Sequence, residues 1–104
     1  VIVKHYPNNF YETNLQNKLV ENGVTELVVC GMMTHMCIDT TIRAAKDYGY
    51  KLTLISDGCA TKELEWNGDY IPADTVQSIF MASLNQKFAN VITSTDYLFY
   101  QYDL

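Results

Sequence analysis

Apolar positions in this chain fall into two patterns, short unbroken runs and helical spacings, and they alternate. Val1-Ile2-Val3 is a β-branched run stopped by Lys4, His5 and the breaker cluster Tyr6-Pro7-Asn8-Asn9, and it reads as a short strand. Thr13 to Gln16 has capping-box spacing, with the Thr13 hydroxyl able to accept from the backbone three residues on. Leu15 and Leu19 then share one helical face, and Gly23 stands where a helix stops in the left-handed conformation. Leu27-Val28-Val29-Cys30 is apolar without alternation, as expected for a strand buried on both faces. From Thr34 to Gly49 the spacing turns helical, with Ile38, Thr41, Ile42 and Ala45 on one stripe. Leu52-Thr53-Leu54-Ile55 predicts a third strand, closed by Ser56-Asp57-Gly58. The polar stretch carrying Trp66, Asn67 and Gly68 reads as a loop up to Pro72. Beyond it Val76, Ile79, Phe80, Ser83, Leu84 and Phe88 outline the clearest amphipathic helix, and Val91-Ile92-Thr93 a last strand.

The predicted order is therefore β, α, β, α, β, α, β with short connections. Buried strands alternating with helices imply right-handed crossovers and an α/β fold, a doubly wound parallel sheet in a three-layer, Rossmann-like arrangement. No internal repeat, low-complexity stretch or interdomain linker interrupts it. Four parallel strands are few for this class. The chain also opens inside a strand and closes on the aromatic tail Tyr97-Leu98-Phe99-Tyr100-Gln101-Tyr102. The expectation is that residues 1–104 are the carboxyl-terminal part of one larger domain. The tail should then be covered by the rest of that domain, by a second subunit, or by both.

Composition narrows the class without changing the fold. At 104 residues, 48% hydrophobic and 18% charged, the chain holds one compact domain at most and is too apolar for a disordered tail. A formal net charge of -5 argues against a broad nucleic-acid surface. No apolar run approaches the roughly 20 residues that span a bilayer, and no basic-then-apolar leader is present, so no membrane partner is expected. Cys30, Cys37 and Cys59 cannot all pair, and they read as reduced thiols of a cytoplasmic protein.

In open parallel sheets ligands bind outside the carboxyl ends of the strands. Lys4, the segment Gly31-Met32-Met33-Thr34-His35-Met36-Cys37, and Asp57 all fall on that edge. Thr34 is a plausible N-cap, which puts Cys37 in the first turn of the following helix. Unpaired N–H groups and the positive end of the helix dipole meet there and favour a thiolate, as would a nearby ammonium such as Lys4. Thiolate is the nucleophilic form, so covalent catalysis is one reading of Cys37 and an inert helix-start cysteine is the other. Cys30 reads as core and Cys59 as structural. By itself, Lys4 at a strand end is an ordinary solvated charge.

The same residues resemble the isochorismatase-like cysteine hydrolases. The likeness is carried by Lys4 with Asn9-Phe10 and Thr13, by Gly31 to Thr41 around Cys37, by Arg43-Ala44-Ala45 and Gly49-Tyr50, and by Asp57-Gly58-Cys59-Ala60-Thr61. It runs along nearly the whole chain, and the glycine-to-cysteine segment is its specific part. The resemblance implies an Asp, Lys and Cys triad cleaving a C–N bond of a small amide or carbamoyl substrate through a thioester. Cys37 matches the nucleophile and Lys4 the lysine that stabilises its thiolate. The backbone N–H groups of Met33 and Cys37 match the oxyanion hole, and the Met32-Met33 bond matches a cis peptide. Phe10 and Met36 match positions lining the substrate pocket. The family aspartate and metal ligands match nothing in this chain, so no metal and no cofactor are assigned. Homo-oligomers are implied as well.

Competing readings are limited. His35 and Cys37 are two apart and do not face each other on a helix, so a Cys-His pair is not expected. His35 is then a loop residue or pocket wall, and His5 a surface or packing residue. His5, Cys30, His35 and Cys37 have no recognised zinc-ligand spacing. Asp57 could act as a base, but a loop-capping role suits it better. The alternatives in function are vinyl-ether hydrolysis of the isochorismatase type, which Cys37 disfavours, and a non-catalytic oligomerisation or binding module.

Overall fold

The computed structural model describes residues 1–102, with side chains through Phe99. Helix α1 (Leu15–Glu21) precedes strand β1 (Glu26–Met32), a π-helical turn (Thr34–Ile38) and helix α2 (Asp39–Asp47). Strand β2 (Lys51–Ala60), the hairpin strands β3 (Leu64–Trp66) and β4 (Asp69–Ile71), helix α3 (Ala73–Leu84), strand β5 (Asn90–Ile92) and helix α4 (Ser94–Tyr102) follow. Among the described residues the main sheet has three strands in the order β1-β2-β5, both pairings parallel. The α/β class holds. The expected fourth strand at residues 1–3 does not, because a strand exists only by pairing and no described strand pairs with them.

The core forms where the two hydrophobic periods meet. Ile38, Ile42 and Ala45 from the predicted stripe of α2 pack with Leu52 and Leu54 of β2 and with Met81 and Leu84 of α3. Phe10 joins them, its ring near those of Tyr48 and Tyr50. Helix α1 stops as its glycine predicts: Gly23 takes φ 65°, and its N–H donates to the Val20 carbonyl while Val24 N–H reaches back to Leu19. At the start of α1 the Thr13 hydroxyl accepts from Leu15 N–H, two residues on rather than three, and donates to the Asn9 carbonyl. Ile79 is exposed and α3 ends at Leu84, so Phe88 lies beyond the helix rather than on its stripe.

Two further departures have local causes. The predicted loop at Trp66, Asn67 and Gly68 is the tip of a hairpin in which Trp66 pairs with Asp69. Asn67 and Gly68 take φ 53° and 83°, the two positive angles that a tight two-residue turn needs and that these residue types tolerate. Strand β1 is not buried on both faces: Val28, Cys30 and Met32 are exposed on one side, so Cys30 is a surface thiol and not core.

The aromatic tail folds as α4, which the sequence pattern did not suggest. Thr93 Oγ1 accepts from Asp96 N–H, and Asp57 accepts from both the Ser94 N–H at 2.7 Å and the Ser94 hydroxyl at 2.6 Å. Asp57 therefore caps, as expected of it, although β2 runs three residues past it. Leu98 and Phe99 are exposed; the side chains of Tyr100 and Tyr102 lie outside the described residues. The Ser94 hydroxyl and N–H hold the Asp57 carboxyl below its ordinary value of 3.8. Its contribution to docking α4 is thus full above that value and is lost as acid titrates the folded state through the depressed one. Asp57→Ala should speed hydrogen exchange at the Ser94 to Leu98 amides at neutral pH. In the unsubstituted chain the same loosening should begin only below pH 3.8.

Candidate active site

Strand β1 delivers the site. Its pairing with β2 runs in register from Glu26 to Val29, then jumps so that Gly31 faces Cys59 and Met32 faces Ala60. The residues of β2 skipped by that jump are set free for other partners, and Thr61 is brought beside the end of β1. The Met32-Met33 peptide that follows is cis. The chain then closes a single wide turn, with the Met33 carbonyl accepting from Met36 N–H at 3.0 Å and from Ile38 N–H at 3.3 Å. Cys37 is half-buried inside this turn and Met36 beside it is exposed.

Thr34 does not cap the turn. Met33 occupies the cap position, and the fully buried Thr34 hydroxyl instead lies 2.6 Å from Gln77 Oε1 of α3. His35 also differs from a simple loop residue. Its Nδ1 lies 2.8 Å from the Thr61 hydroxyl and its ring meets the edge of Phe80, so its partners lie on β2's outlet and α3.

Lys4 reaches the turn from the other side. Its Nζ lies 3.0 Å from Cys37 Sγ, 3.0 Å from the Tyr6 carbonyl and 3.1 Å from the Pro7 carbonyl. An ammonium has three N–H donors, so these three acceptors use all of them and fix the direction of the one aimed at sulfur. The loop that carries the carbonyls is tied to α2 in turn: Asn9 N–H donates to Thr41 Oγ1, and the Thr41 hydroxyl donates to the Pro7 carbonyl. Lys4 is therefore half-buried and engaged, not a solvated charge.

Of the residues singled out in the sequence, the structure brings Lys4, Met33, Met36 and Cys37 to one place. Phe10 is buried, 6% exposed, and packs in the same core cluster as Ile38, the neighbour of Cys37. Lys4 lines a cavity of about 270 Å³ with Ile2, Asn9 and Leu15. A larger cavity of about 590 Å³ lies across the sheet edge, lined by Ser56, Asp57, Cys59, Thr61 and Gln77, and reaches neither Lys4 nor Cys37. Burial pushes the Cys59 thiol up, which keeps it protonated and unreactive at neutral pH. Thr41, Thr61 and Gln77 are parts of this site that sequence reasoning missed. Thr41 was visible as one member of a helical stripe and as the end of the Gly31 to Thr41 likeness, Thr61 only as the end of the Asp57 to Thr61 likeness, and Gln77 carried no signal. Among the described residues no cluster of His, Cys, Asp and Glu is placed to hold a metal ion, and no helix is long and apolar enough to cross a membrane.

The chain is similar to known proteins. YddQ of Bacillus subtilis, an uncharacterized isochorismatase family protein, is 51% identical over 98 residues, covering 94% of this chain and 54% of that protein. An isochorismatase of Pseudomonas putida superposes with a TM-score of 0.90 at 42% identity, over 92% of this chain and 50% of that one. Nicotinamidase 3 of Arabidopsis thaliana is 36% identical over 61 residues, 59% of this chain and 31% of its own. The chain spans about half the length of the first two. The pattern of the isochorismatase domain matches residues 1–96, and the chain belongs to the isochorismatase family.

Proposed function

We propose that the protein hydrolyses a C–N bond of a small amide or carbamoyl compound, with Cys37 as nucleophile. One observation carries this reading, the 3.0 Å approach of the Lys4 ammonium to Cys37 Sγ with its other two donors already satisfied by backbone carbonyls. A cysteine sulfur is the atom that attacks carbonyl carbon in covalent hydrolysis, and the ammonium fixes the direction in which it is held. The S–C bond forms as the carbonyl pair moves onto oxygen, and collapse of that tetrahedral species breaks the C–N bond, so that the amine leaves with a proton and a thioester remains. Water then attacks the thioester, releasing the acid and restoring the sulfur. The Met33 and Cys37 N–H groups would stabilise the oxyanion of each tetrahedral species, and Met36 would line the pocket. The proton carrier would be the carboxylate that the resemblance implies, which matches no residue of 1–104. Kinship with a nicotinamidase supports amide chemistry generally. Exposed strand-face residues Val28 and Met32, with Leu98 and Phe99, support a covered, oligomeric state for the complete protein.

Iodoacetamide provides the first test. Within residues 1–104 Cys30 is the more open thiol, so in this chain accessibility alone would make it react first. At neutral pH Cys37 should instead be alkylated ahead of Cys30, with Cys59 last. A panel of small primary amides, assayed for ammonia with the complete protein, should then yield at least one substrate whose turnover the alkylation abolishes. Alkylation of Cys30 first, or turnover that survives a blocked Cys37, would overturn the proposal.

A further inference from the structure

We propose that Gln77 is a positioning residue for the nucleophile turn, acting through Thr34; the inference rests on the reading of Cys37 given above. Gln77 Nε2 donates to the Ser56 carbonyl at 3.0 Å, and a carbonyl can only accept, so the amide orientation is fixed. Its Oε1 must then face Thr34, whose hydroxyl must donate across 2.6 Å. Ser56 belongs to the stretch of β2 that the register jump leaves unpaired with β1. The side chain thus ties three elements at one point: α3, the free stretch of β2, and the first residue of the turn that holds Cys37.

The bland alternative is that Gln77 merely satisfies a buried hydroxyl. The Thr34 hydroxyl has a second acceptor, the Ala60 carbonyl at 3.4 Å, so it would not be left without a partner if Gln77 were lost. It has one proton, and at present that proton goes to Gln77. Without Gln77 the hydroxyl would turn to Ala60, the start of the turn would follow, and the Cys37 sulfur would shift relative to Lys4 and the oxyanion donors. Such displacements of a reacting group cost rate more than affinity.

The test uses the complete protein and two readouts, the Cys37 alkylation rate at neutral pH and the split between kcat and KM. Gln77→Met, which keeps the volume and removes both hydrogen bonds, should lower kcat roughly tenfold with KM changed less than about twofold, and slow alkylation of Cys37 but not of Cys30. Thr34→Val should do the same, the double variant should be no worse than either single one, and Thr34→Ser, which keeps the hydroxyl, should retain both rates. Folded Gln77→Met with unchanged kcat and alkylation would overturn the proposal while leaving Cys37 chemistry standing. An unsubstituted Cys37 that reacts no faster than Cys30 would overturn both. Should Gln77→Met fail to fold, the Thr34 pair decides: loss in Val with retention in Ser supports the proposal, and equal behaviour of the two refutes it.

Discussion

Cys37→Ala in the complete protein should abolish turnover, lowering kcat by about 10⁴-fold or more, because a covalent mechanism has no substitute for its nucleophile. The fold should survive. Cys37 is half-buried in a turn held by the Met33 carbonyl, Thr34 and His35, and none of those contacts uses its sulfur. Removing one atom from such a place opens little cavity, so thermal unfolding should move by only a few degrees. Cys37→Ser should fail as well. A serine hydroxyl in the same place needs a base to take its proton, and the group that Cys37 Sγ meets is an ammonium, which can only donate. The comparison also separates two chemistries within the family. A Cys37→Ala protein that loses amide hydrolysis fits the thioester route, whereas one that still cleaves a vinyl ether shows a reaction that never needed the thiol.

What could be read from the sequence, and what could not, divides along physical lines. The stripe Ile38, Thr41, Ile42 and Ala45 announced its buried face because helical period and burial are both local consequences of spacing. The stop at Gly23 was legible for the same reason. The hairpin tip Asn67-Gly68 was equally local, and its dipeptide is a turn signal; strands of three residues carrying Glu65, Trp66, Asp69 and Tyr70 gave no alternation to support it. Residues 1–3 and Cys30 were misjudged because pairing and face burial depend on neighbours that no run of residues can reveal. The site shows both cases at once. Cys37 and Lys4 were found through the chemistry that their types and strand-edge positions allow. Gln77 and Thr34 are 43 positions apart and meet only because α3 crosses beside the turn.

Lys4→Met should reduce kcat roughly 10²-fold and slow alkylation of Cys37 at neutral pH in similar proportion. The substitution keeps an unbranched apolar stem, one atom shorter, and removes its charge and all three donors. A charge-assisted hydrogen bond contributes on the order of 1.5–3 kcal/mol, which corresponds to roughly ten- to a hundredfold and sets the scale of the loss. Two further consequences follow from the same nitrogen. The Tyr6 and Pro7 carbonyls lose a donor each, so the loop at residues 5–8 should exchange its amides faster. It should not detach, because Asn9 N–H still holds Thr41 and the Thr41 hydroxyl still reaches Pro7. Cys30 supplies the internal control: the Lys4 ammonium meets Cys37 and not Cys30, so Cys30 should be alkylated at the same rate in both proteins. If Cys37 also reacts at its original rate in Lys4→Met, the 3.0 Å contact is not what makes the sulfur nucleophilic, and the thiolate must be stabilised by the turn alone.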